Sequence, residues 1–97
     1  MAKARNYVAI DTAGRAENIK PEWDWFDILD WVSRTVGSAG GNTPLPDKLL
    51  LNGEIIVPAD LHTMGWKYGQ AQRYEYEQAR QKVRAMFPDP TQETGHD

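Results

Sequence analysis

Asn52-Gly53 sits between two apolar triplets, Leu49–Leu51 and Ile55–Val57, and constrains the fold more than any other feature of the chain. Both central residues of a tight two-residue hairpin turn need a positive φ, which Asn and Gly adopt most readily. Residues 48–57 therefore read as a β-hairpin, with Leu50 facing Ile55 and Leu49 facing Ile56. Both faces of that ribbon are apolar, so it needs cover on both sides or an extra strand. Residues 6–12, with Tyr7, Val8 and Ile10, supply the natural third strand, followed by a turn at Gly14.

Residues 13–20 show no period and read as loop. Residues 21–36 are the first helix, with Pro21 in its first turn and Gly37 as a left-handed C-terminal cap. Asp24 is a candidate N-cap, with Asp27 three residues on completing a capping box. Trp25, Ile28, Leu29, Val32 and Val36 recur at helical spacing and form one apolar stripe. Residues 37–46 hold three Gly and two Pro and read as a flexible loop. Pro58 ends the hairpin, and residues 59–87 read as a second, longer helix. Gly65 and Gly69 weaken its first half, so a kink is expected near Gly65.

The expected fold class is α+β, in the order strand, helix, β-hairpin, long helix. A small three-stranded, mostly antiparallel sheet would carry two packed helices. Residues 1–5 read as a flexible start, 6–87 as a single domain and 88–97 as a disordered tail.

Several function classes drop out. There is no Cys, so no disulfide, zinc knuckle or thiol nucleophile is available, and the chain suits a reducing cytoplasm. No apolar run exceeds four residues, against about 20 for a membrane span, and the polar start lacks the apolar stretch of a signal peptide. The net charge of -3 excludes a broadly basic nucleic-acid coat. Of the two His, His96 lies in the tail. His62 follows Asp60 by two residues, a spacing that does not stack side chains on one helix face. Gly37-Ser-Ala-Gly-Gly follows a helix instead of preceding one and lacks the geometry of a phosphate loop. No metal pair, cofactor motif or catalytic constellation is legible, and the chain reads as a non-enzyme without cofactor or metal.

Two surfaces remain. Trp23, Asp27 and Trp31 follow one another at four-residue spacing, with Asp24 and Asp30 beside them, and residues 22–33 hold four acids and no base. Trp anchors dominate protein interfaces, and carboxylates select and steer a basic partner. The competing reading buries both Trp in the core. On the second helix, Lys67, Arg73, Arg80 and Arg84 form a basic face able to grip phosphates, although Glu77 makes much of it a self-compensating surface ladder.

The hairpin resembles that of S4-type RNA-binding domains over residues 48–57, but the two basic helices that precede it there are absent, so nothing carries over. In size and lack of catalytic residues the chain is similar in character to small phage accessory proteins, including inhibitors that occlude a host protein. The expectation is a protein-binding module or inhibitor whose partner carries a basic surface. A nucleic-acid-binding regulator and a structural subunit of a viral or other homo-oligomeric assembly are the alternatives.

Overall fold

The computed structural model describes residues 6–73 and 77–90. The elements are β1 (Tyr7–Asp11), β2 (Ala16–Asn18), α1 (Trp25–Ser38), β3 (Pro46–Leu51), β4 (Glu54–Val57), α2 (Leu61–Arg73) and α3 (Glu77–Met86). The sheet has four strands, not three, in the order β2-β1-β3-β4, and every neighbouring pair is antiparallel. The added strand is β2, which falls in the segment read as loop. Ala, Glu and Asn are poor strand formers, so its sequence gives no strand signal.

The hairpin turn forms as its chemistry requires, with Asn52 at φ 51 and Gly53 at φ 87. Gly14 likewise has a positive φ of 86 in the β1–β2 turn. Leu50 pairs with Ile55 as expected, but Leu49 pairs with Val57 instead of Ile56. A bulge at Ile56 absorbs the extra residue. It returns Val57 to the buried face and disrupts the outer edge of the sheet, which blunts strand addition there.

Side chains alternate along β1. Tyr7 and Ala9 are buried, and they join Leu49, Val57, Trp25, Ile28, Leu29, Val32, Leu61, Tyr68 and Val83 in one core. The helices cover this face alone. Val8, Ile10, Leu50 and Ile55 point the other way, and Ile55 is 54% exposed; of the two expected solutions the hairpin takes the extra strand, β1 paired with β3.

α1 starts later than its composition suggests. Asp24 Oδ1 accepts from Asp27 N at 2.9 Å, and Asp27 Oδ2 accepts from Asp24 N at 3.0 Å. This reciprocal box fixes Asp24 as the N-cap and leaves Pro21 outside the helix. At the other end Gly37 is helical, and the cap is Ala39 in an extended conformation. Ser38 Oγ donates to Arg34 O at 3.0 Å and satisfies a carbonyl there.

The single long helix is also corrected. α2 runs unbroken through Gly65 and Gly69. The glycines face α1: a methyl group at Gly65 would overlap Val32 Cγ1 and lie 2.7 Å from Val32 Cβ. One at Gly69 would strike Ser33 Oγ and lie 2.9 Å from Ser33 Cβ. Their missing side chains let the two helix backbones meet.

Tyr68 and Phe87 then make an edge-on ring contact at 5.8 Å. A continuous straight helix would hold them about 28 Å apart, so α3 folds back on α2. Phe26 stacks on Tyr68 at 6.3 Å, and the Trp25 indole N–H donates to Phe87 O at 2.9 Å. That bond ties the start of α1 to the end of α3 and satisfies the one polar atom of a fully buried ring. Of residues 88–97, only 88–90 are described. Pro88 and Pro90 border an apolar groove of about 230 Å³ with Trp25, Ile56 and Met64.

Candidate protein-binding surface

Trp23 and Trp31 are neither core nor free. Both are half-buried and pack against the margin of the core. Because α1 begins at Trp25, Trp23 lies before the helix and folds back onto it. Its ring centroid is 6.4 Å from that of Trp31, at an interplanar angle of 50°. Lys20 Nζ lies over the Trp23 ring, 5.7 Å from its centroid.

Trp31 does not lie opposite the apolar stripe. At 3.6 residues per turn, Trp31 and Thr35 sit about 100° to one side of it and Ser33 about 80° to the other. Trp31 and Thr35 therefore lean over the β1–β2 margin of the sheet. They close a cleft of about 340 Å³ with Ala9, Asp11, Arg15, Ala16, Glu17, Pro44 and Pro46. The floor is small because Ala9 carries only a methyl group, and Glu17, its partner across the ladder, lies on the same face.

The polar rim of the cleft is built by the β1–β2 turn. Asp11 Oδ1 accepts from Ala13 N and from Arg15 N, each at 2.9 Å. Asp11 Oδ2 is left with Arg15 Nε at 3.9 Å, an ion pair beyond hydrogen-bond reach. Thr12 N donates to Leu45 O at 2.9 Å and Leu45 N to Thr12 Oγ1 at 3.2 Å, which fixes the proline wall against β1.

The acidic residues divide by role. Asp24 and Asp27 are exposed, and each spends one oxygen on the capping box while the other faces water. Asp30 is half-buried on the next turn. The structure pairs Trp23 with Trp31 and Asp24 with Asp27, while Asp30 lies about 100° around α1 from Trp31. Asp11, Glu17 and Thr35 join Trp31 in the cleft, and none of these three was singled out in the sequence. Thr35 carried a signal, since it follows Trp31 by one helical turn. Glu17 carried none once β2 went unrecognised.

The basic set is not assembled in the same way. Lys67 and Arg84 are exposed, and the Arg84 guanidinium stacks over the Phe26 ring at 4.9 Å. The side chains of Arg73 and Arg80 lie outside the described residues. Trp66, beside Lys67, is 43% exposed.

His62 belongs to the fold. Its Nδ1 donates to Pro46 O at 3.0 Å, and Asp47 Oδ1 lies 3.8 Å away. Asp47 Oδ1 also accepts from Asp60 N at 3.2 Å and holds Asp60 at φ 67, where its carbonyl starts α2. That backbone donor holds the Asp47 carboxyl below the usual carboxylate range. Partial desolvation opposes the shift, and Lys48 adds to it.

Among the described residues, no group of three His, Cys, Asp or Glu is arranged to hold a metal ion, and no helix is long and apolar enough to cross a membrane. Comparisons of the chain with protein-family models, with curated proteins and with solved structures found no match.

Proposed function

We propose that this chain is a non-enzymatic module that binds another protein through the surface formed by Trp23, Trp31 and the carboxylates around them. One observation carries the reading. Trp31 joins two recognition features, a half-buried Trp pair and a cleft with a carboxylate rim. Half-buried aromatics held rigid by core contacts lose little entropy on binding and fit the profile of interface anchors. Glu22, Asp24, Asp27 and Asp30 beside them, with Asp11 and Glu17 across the cleft, favour a basic partner surface. Occluding such a surface on a host protein, as an inhibitor does, is one use of this arrangement.

The test is affinity capture with the wild-type chain and with Trp31→Ala and Asp27→Lys variants, followed by titration calorimetry against the recombinant protein identified. We expect affinity to fall by about 30-fold for Trp31→Ala, corresponding to a loss of about 2 kcal/mol. Unchanged affinity in both variants, with circular dichroism showing an intact fold, rejects this surface. A nucleic-acid role through Lys67 and Arg84 is the second reading, since Lys67 and Trp66 are both exposed. A salt titration of DNA and RNA binding tests it, and no binding at low salt ends it.

A further inference from the structure

The cleft beside Trp31 has an aromatic wall and a carboxylate rim, and together these specify a ligand chemistry. Asp11 is held by its own turn, because the Ala13 and Arg15 amides both donate to Oδ1 and set the plane of the carboxylate. Oδ2 has Arg15 Nε at 3.9 Å, and the Arg15 side chain is 74% exposed. Glu17 places a second, exposed carboxylate beside it on β2. A planar cation that stacks on indole while its fork of N–H donors meets carboxylate oxygens satisfies both walls, and the guanidinium group is that cation. The same molecule already stacks a guanidinium on an aromatic ring, Arg84 on Phe26 at 4.9 Å. The volume of about 340 Å³ is at the small end of ligand sites. A helix about 10 Å across does not fit, whereas one long side chain does.

We propose that this cleft receives an arginine side chain of the partner protein, stacked on Trp31 and paired with Asp11 and Glu17, in the place that Arg15 partly occupies in the free chain. This rests on the protein-binding reading and adds the partner's chemistry to it. Arg15 acts as a weak internal stand-in, long enough to neutralise Asp11 and exposed enough to swing away.

The experiment titrates the ¹⁵N-labelled full chain at low salt with acetyl-Gly-Arg-Gly-amide and with its citrulline counterpart, which keeps the shape and removes the charge. The amides of Ala9, Ala16 and Glu17 and the Trp31 indole N–H report the cleft. The arginine peptide should give saturating shifts at these positions, with the citrulline peptide about tenfold weaker. Glu17→Gln should weaken the arginine peptide and Arg15→Ala should strengthen it. Equal responses to the two peptides, shifts confined to other parts of the molecule, or no effect of Glu17→Gln would overturn the proposal. A protein partner that depends on Trp31 while the arginine peptide stays silent overturns the arginine site and leaves the protein-binding reading standing. Saturable arginine binding with no Trp31-dependent protein partner sustains the site and overturns that reading.

Discussion

The two flanks of α1 solve the same packing problem in opposite ways. On the Val32–Ser33 flank, α2 comes so close that Gly65 and Gly69 leave no room for a methyl group. On the Trp31–Thr35 flank, the sheet ends in the three residues of β2 and small Ala9 faces the helix, so a cleft stays open. No ion pair joins α1 to α2 among the described residues, and their contact is steric. Asp11, Arg15 and Glu17 line the open flank. The closed flank fixes where α1 stands, and that position holds the open flank apart.

The largest expected effect breaks the closed flank. Gly65→Ala forces the added methyl into Val32 or displaces α1 and should cost about 3 kcal/mol, read by urea denaturation. Gly69→Ala should cost about 2 kcal/mol alone. In a Ser33→Ala background, where the hydroxyl it strikes is gone, it should cost about 1 kcal/mol, and a double-mutant cycle measures the difference. Asp24→Ala removes the α1 cap and should cost about 1 kcal/mol in the same assay. By contrast, Thr35→Ala on the open flank should stay within about 0.5 kcal/mol. Comparable costs for Thr35→Ala and Gly65→Ala would erase the distinction between the flanks.

The smallest effect concerns pH. The folded state depresses the Asp47 pKa, so the stability this group contributes is present at neutral pH. It is lost as pH falls through that depressed value, below the usual carboxylate range. Asp47→Asn should flatten the acid limb of the stability profile while leaving an oxygen to accept from Asp60. An unchanged acid limb would show that the Asp47 carboxyl is not held below its usual range in the folded state.

Much of the closed flank was legible. The Trp25–Val36 stripe, the Asp24–Asp27 box and the Asn52-Gly53 turn are local patterns whose physics needs no tertiary partner. Gly65 and Gly69 were read by local propensity as weak points, and only the neighbouring helix shows why they are there. A continuous helix over residues 59–87 would put Met86 on one face with Leu61, Tyr68 and Val83, yet Met86 is 67% exposed. The open flank was half legible. The Trp31 and carboxylate composition pointed to a surface, but the cleft depends on β2, whose Ala-Glu-Asn sequence takes its strand state from pairing with Val8–Ile10.

The most direct test of the account is the footprint of the captured protein partner on the ¹⁵N-labelled chain. The largest shifts should fall on the Trp23 and Trp31 indoles and on the amides of Asp27, Asp30 and Glu17, with Lys67 and Arg84 unmoved. A footprint centred on Lys67 and Arg84, with the two indoles unmoved, would contradict it.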